Sequence, residues 1–359
     1  MKPVIVPFFI AHQGCPHTCV FCNQEKISGG SGALPLPAEM LSRIAAYRET
    51  AGERDIEVAF FGGTFTSLPI RLQERLLAPL QPLLEQGDLI AVRVSTRPDA
   101  VDQKSAEFLM ARGVRSVELG IQSLDDTVLA LSGRGHSAQD AENACRILIE
   151  AGFRVGLQLM PGLPGDSPAK ILATVRRAIG LGPAFLRIYP ALVIAGTGLE
   201  RLYRAGDYTP MSLPEAVSIC KVVLHEALRA SVPVVRIGLQ ATGELQSGSA
   251  VIAGPYHPAF RQLVEAELFF DLMTKLAAVF LPHHKVILSS APSRVSDVAG
   301  QRRGNVRRLR RTQGIEVAAI KTDPCLSPLE LRMEADNLVR MGNLLLDLDY
   351  TGKEAFHVR

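Results

Sequence analysis

The sequence predicts an α/β fold: a partial (β/α)6 TIM-like barrel followed by a smaller C-terminal α+β domain. Three observations predict it. Short apolar runs alternate with longer stretches of helical periodicity, and six such units are complete by about residue 190. The runs are near-continuously apolar, as in strands of a parallel sheet covered by helices. Polar or glycine-bearing residues follow run after run, which would ring one mouth of a barrel. An open doubly wound sheet also accommodates six units, but there such residues would gather near one switch point.

The first run, VIVPFFI at residues 4–10, leads into Ala11-His12-Gln13-Gly14. It is too short to span a membrane. Only Lys2 gives it positive charge, and no small-residue cleavage site follows. It reads as a buried first strand in a cytoplasmic protein with no membrane segment. Further strands are expected at 56–61, 89–95, 116–121, 154–159 and 185–189, followed in turn by groups such as Gly62-Gly63-Thr64, Ser95-Thr96-Arg97, Gln122-Ser123 and Pro161-Gly162. Helical periodicity fills 38–49, 70–85, 102–112, 126–132 with 138–151, and 168–181.

After Ala191 the rhythm changes. A helix is expected over 213–230, a strand at VPVVRIGLQ, a Gly/Ser/Pro-bearing loop over 244–257 and a helix over 263–279. The segments HKVILSS and IEVAAIK read as strands, and 328–341 as a last helix that begins with a tolerated early proline. The expected domains are 1–210, the partial barrel, and 211–359.

A length of 359 residues exceeds what one core usually serves. With 47% hydrophobic and 21% charged residues, disorder is excluded as the general state of the chain. Six cysteines in so long a chain do not make a disulfide scaffold, and clustered cysteines in a reducing compartment more often bind metal. Cys145, Cys220 and Cys325 stand alone and read as small core residues.

The other three, Cys15, Cys19 and Cys22, stand within GCPHTCVFCNQ. A structural zinc site normally closes with four protein ligands, so a fourth would come from His12, His17 or a distant residue. An iron–sulfur cluster also takes cysteine thiolates. Three ligands on four irons would leave one iron open to chelate a small molecule.

The spacing C-x3-C-x2-C, with Phe21 just before the last cysteine, resembles the signature of the radical S-adenosylmethionine (radical SAM) enzymes. The segments FFGGTFTSLP, STRPD, ELGIQS, LSGRGH, LMPGLPG and LYRAGDYTP follow in the order found in the branch containing the Elongator catalytic subunit. VRIGLQ and AGPYHPAF are similar to the smaller domain attached to such cores.

The resemblance implies that Cys15, Cys19 and Cys22 ligate a [4Fe–4S] cluster. That cluster would bind S-adenosylmethionine and cleave it reductively to a 5′-deoxyadenosyl radical. It implies cofactor contacts from Phe21, Gly62, Gly63, Thr64, Arg97, Gln122, Arg134 and Gln158. Phe21 has a core reading as well, and each of the polar residues a structural one. Tyr189 is a further candidate facing substrate. The resemblance names no residue that acts on the substrate. It implies an external electron donor such as flavodoxin or ferredoxin, and tRNA modification as the setting. Elongator subunits carry an acetyltransferase domain after the core; this sequence ends at Arg359, so acetyl transfer is not expected.

Net charge is only +3, yet residues 283–314 hold eight Lys or Arg against Asp297 alone. Within RRGNVRRLRR, Arg302, Arg303, Arg307, Arg308, Arg310 and Arg311 suit phosphate contacts, tRNA being the expected partner. A solvated loop between two strands is the plainer reading. Two functions therefore compete: a radical SAM enzyme acting on a tRNA base, and a non-catalytic RNA-binding protein with a structural zinc or iron–sulfur site.

Overall fold

A computed structural model describes residues 3–28, 33–239 and 250–350. The chain divides into two compact units. The first comprises Met1–Met211, Val232–Val235 and Leu239–Pro255; the second comprises Ser212–Ser231, Arg236–Gly238 and Tyr256–Arg359.

The first unit is built on β1 (Val4–Phe9), β2 (Ile56–Phe61), β3 (Ala91–Thr96), β4 (Val114–Gln122), β5 (Arg154–Leu159) and β6 (Phe185–Ile188). After β6 the short β7 (Val193–Ile194) leaves the sheet, and β8 (Val234–Ile237) joins it as a seventh strand. The Leu186 N–H donates to the Pro233 carbonyl at 2.8 Å beside that junction. β9 (Val251–Ala253) pairs antiparallel with β7.

Strands β1 to β6 are all parallel to their neighbours. The spatial order β1-β2-β3-β4-β5-β6-β8 follows chain order without a reversal. A doubly wound sheet reverses direction at its switch point. Continuous addition to one edge is the winding of a barrel, and here it stops short of closure, as a curled partial barrel. The strand within VPVVRIGLQ thus belongs to the barrel sheet, although it lies beyond residue 210.

Alternate residues define two faces. On the helix side, Phe8, Phe60 and Phe65 stack at ring separations of 5.8 and 5.4 Å, and all are buried. On the lumen side stand Glu57, Arg93, Glu118 and Arg187, one charge on each of four strands. The runs look continuously apolar in sequence because each carries so few of these interruptions. Side-chain caps set the helix starts: Asp102, Ser137, Thr197 and Ser212 each accept a backbone N–H from the first turn.

In the second unit, β10 (Lys285–Ser290) lies between β11 (Glu316–Thr322) and β12 (Glu330–Ala335), with β13 (Leu338–Asn343) beyond β12. Residues 328–341 therefore form most of an antiparallel hairpin and not the expected helix. Burial alternates along β12 at Leu331, Met333 and Ala335, a period of two that outweighs an early proline. Asp336, at φ +50°, makes the tight turn.

The basic block is likewise no loop. Gly304–Gln313 is a helix that buries Asn305 and Leu309, four residues apart on one face. Cys145 and Cys220 are buried as expected, but Cys325 is exposed. Residues 244–249 of the expected 244–257 loop, and Gln240 of VPVVRIGLQ, lie outside the described residues. No helix among the described residues is long and apolar enough to cross a membrane.

Candidate metal centre

The cysteine loop leaves the C-terminal end of β1 and runs to the short helix Gln24–Ser28. It is pinned from several directions. The Val20 N–H donates to the Ser132 carbonyl at 3.0 Å, and the Val20 carbonyl accepts from the Leu199 N–H at 2.6 Å. Asn23 Nδ2 donates to the Ala195 carbonyl at 3.0 Å. Phe21 is buried in an apolar wall with Cys19, Val128, Leu163, Leu199 and Tyr208, so it serves as a core anchor of the loop.

The turn after β2 locks against this loop. The Thr64 N–H donates to the Gln13 carbonyl at 2.8 Å, and Thr64 Oγ1 lies 3.4 Å from Cys15 Sγ. Gly62 and Gly63 have φ of +74° and +60°. A Cβ on Gly63 would stand 2.4 Å from the Gln13 carbonyl oxygen and 2.5 Å from that of Ile10. Glycine is required there by backbone conformation and by close approach.

Arg97 and Arg134 converge on one sulfur. Arg134 Nη1 lies 3.3 Å, and Arg97 Nη1 3.7 Å, from Cys19 Sγ. Arg97 is held by a two-pronged bond to Asp99 at 2.9 and 3.0 Å, and it also donates to the Arg134 carbonyl. Arg134 donates to the Gly120 carbonyl, while its Nε is buried and has no partner. Beside them His136 is buried, and its pKa falls to about 4, chiefly through desolvation and then through the Arg134 charge.

Gln122 and Gln158 meet each other, Gln158 Nε2 donating to Gln122 Oε1 at 3.2 Å. Gln122 has φ +66°, and the β4–β5 register shifts at that point. A non-glycine residue in this region is a strained exception that functional sites favour.

The cysteine thiols suit a group that takes several thiolates. The Cys22 pKa is pushed up to about 12, first by burial and then by the charges of Cys19 and Cys15, so the three sulfurs are electrostatic neighbours. A thiolate is the ligand form, and the Arg134 charge acts against burial to favour it at Cys22. Among the described residues, no three His, Cys, Asp or Glu side chains close around a single ion. A cubane cluster asks for a different arrangement, in which each thiolate reaches its own iron. The proposed fourth zinc ligand His12 is otherwise engaged: its Nε2 accepts from the Gln24 N–H at 2.9 Å.

Sequence reading missed three groups. Gln24 and His12 clasp the loop. Asp99 holds Arg97, and the buried His136 lies beside Asp99. The lumen carries the ion chain Glu57–Arg93–Glu118–Arg187, with Arg187 also donating to Tyr189 Oη at 3.1 Å. Charged residues at alternate positions of otherwise apolar strands were the available signal for the last.

The radical SAM superfamily model matches residues 9–178, and the radical SAM C-terminal domain model matches residues 183–269. A tRNA uridine(34) acetyltransferase of Dehalococcoides mccartyi is 30% identical over 55% of this chain and 50% of its own length. Elongator complex protein 3 of Saccharomyces cerevisiae is 28% identical over 47% of this chain and 34% of its own. The chain thus spans about half the length of the first relative and about a third of the second. Among solved structures, the Elp3 of Methanocaldococcus infernus with an N-terminal deletion has a TM-score of 0.61 at 24% identity, covering 74% of this chain and 62% of that one. At that identity the likeness is one of fold.

Proposed function

The chain belongs to the radical SAM superfamily, in its Elongator-like branch, and from that membership we propose that this enzyme modifies a tRNA base by radical chemistry. Enzymes of the superfamily use a [4Fe–4S] cluster and S-adenosylmethionine. The observation that carries the reading is the placement of three mutually interacting cysteines and two buried arginines at the C-terminal mouth of a parallel partial barrel.

Cys15, Cys19 and Cys22 would hold the cluster. When bound, the cluster and S-adenosylmethionine together supply a 5′-deoxyadenosyl radical. The residues of the chain then have distinct tasks. Gly62, Gly63 and Thr64 offer backbone groups to the methionine end of the cofactor. Arg134 stands where the cofactor's carboxylate would complete its charge, and its unpartnered Nε supports this role; Arg97, already paired with Asp99, would reach the cofactor beside it. Gln122 and Gln158 present paired amides to the cofactor's sugar or amino-acid part.

The lumen behind them suits a planar base. Phe9, nearly half exposed, lies 6.0 Å from Phe61, Arg187 stacks over Phe61 at 5.2 Å, and Tyr189 offers a phenol. Aromatic faces stack bases without regard to sequence. Exposed Arg303, Arg307, Arg310 and Arg311 recur along the helix Gly304–Gln313 and its approach at helical spacing, and they suit RNA phosphates. A reducing cytoplasm, with flavodoxin or ferredoxin as electron donor, completes the reading.

The test is anaerobic reconstitution followed by dithionite reduction with S-adenosylmethionine. The expected result is about four irons per chain and 5′-deoxyadenosine. Cys→Ala at positions 15, 19 or 22 should abolish that product, whereas Cys145→Ala should leave it intact. Nucleoside mass spectrometry of total tRNA, with and without the gene, should reveal one missing modification. An unchanged nucleoside profile would remove tRNA as the substrate while leaving the cofactor chemistry standing.

A further inference from the structure

The carboxamide of Gln24 joins both ends of the cysteine loop to the glycine turn. Its Oε1 accepts from the His12 N–H at 2.6 Å and from the Gly63 N–H at 2.7 Å. The Gln24 N–H returns a bond to His12 Nε2 at 2.9 Å. His12 precedes all three cysteines and Gln24 follows them, so these bonds bracket the whole loop.

Two backbone donors on one atom decide the amide orientation: that atom is the carbonyl oxygen, and the NH2 group faces the other way. His12 itself adopts φ +56°, an uncommon conformation for a residue with a Cβ, and its ring and N–H are both committed to Gln24.

We infer that Gln24 is a positioning residue: its carboxamide oxygen clasps the cysteine loop to Gly63 and so fixes the setting of the three cysteines. Only the consequence for cluster retention rests on the cluster reading. Groups one shell away from a metal orient its ligands, and removing them typically weakens binding about 10–100-fold.

Three variants test the clasp. Gln24→Glu keeps an acceptor for both backbone N–H groups. Gln24→Met loses that acceptor without adding charge, and Gln24→Ala removes the side chain. Amide hydrogen exchange on the full-length apo protein reads the clasp. Peptides containing His12 and Gly63 should exchange faster in Gln24→Ala and Gln24→Met, and near the parent rate in Gln24→Glu. Unchanged exchange in Gln24→Ala overturns the clasp.

On the reconstituted protein, iron loss to a chelator should be about 10-fold faster in Gln24→Ala. Iron loss in Gln24→Met should match that in Gln24→Ala, and a rate in Gln24→Ala equal to the parent's would overturn the positioning role. If the parent protein takes up no iron–sulfur cluster, the cluster reading itself fails, and hydrogen exchange still judges the clasp.

Discussion

Arg134 Nη1 lies 3.3 Å from Cys19 Sγ, and the same arginine holds its buried Nε without a partner. The same guanidinium charge acts against burial to lower the Cys22 pKa. Arg134→Met should therefore slow alkylation of Cys22 by iodoacetamide in the apo protein, read by mass spectrometry of the Cys22 peptide. Arg134→Lys should retain part of the rate, because charge survives while the fork geometry does not. Equal rates in all three proteins would remove the electrostatic role.

The lumen ion chain makes a prediction about stability. Arg93 bonds Glu57 at 2.7 and 3.2 Å and Glu118 at 2.9 Å, with all three side chains buried. Removing Arg93 would leave the buried Glu57 carboxylate without its cation, while Glu118 would keep only Arg187. Breaking a buried pair by losing one partner typically costs about 3–5 kcal/mol. Arg93→Ala should fall in or above that range in urea unfolding. The double change Glu57→Gln, Arg93→Met should recover most of the loss, since it strands no charge and leaves Glu118 paired with Arg187.

These two clusters mark where sequence reading succeeds and where it stops. The barrel was legible because helix-facing residues such as Val58 and Val94 are apolar and the alternation of elements is regular. The cluster cysteines were legible because their ligands are close in sequence. Gln24 and the Arg93 chain were not, because their partners lie 39 and 25 to 36 residues away and meet only through the parallel sheet and its loops. The hairpin over 330–343 was misread because one proline was given more weight than the alternation Leu331-Met333-Ala335.

His136 supplies a pH dependence with a defined sign. Its side chain is fully buried, and its pKa falls to about 4, first through desolvation and next through the Arg134 charge. An unfolded histidine titrates near 6.5, so the folded value is depressed. The stabilising contribution is then present above pH 6.5 and lost as pH falls toward 4. Between pH 7 and pH 5 this one residue should cost about 2 kcal/mol. Urea unfolding at the two values should show that loss in the parent protein. The loss should shrink in His136→Gln, while a protein whose other seven histidines dominate would show no difference.

The arginines of the basic helix divide into two sets with opposite expected phenotypes. Arg308 bonds both Glu267 oxygens at 2.6 and 3.0 Å and lies 3.8 Å over the Phe270 ring, so it is committed to packing within its own unit. Arg303, Arg307, Arg310 and Arg311 are exposed. Removing one arginine from a phosphate flattens the log–log salt dependence of RNA binding by roughly 0.7–0.9. Changing Arg303, Arg307, Arg310 and Arg311 to Ala should lower that slope by roughly 3 and leave the melting temperature nearly unchanged. Arg308→Ala should lower the melting temperature and barely alter the slope. Filter binding of tRNA over a range of salt, beside thermal melts of the same proteins, separates the sets. A slope that survives the fourfold change would remove this helix as the RNA-binding surface.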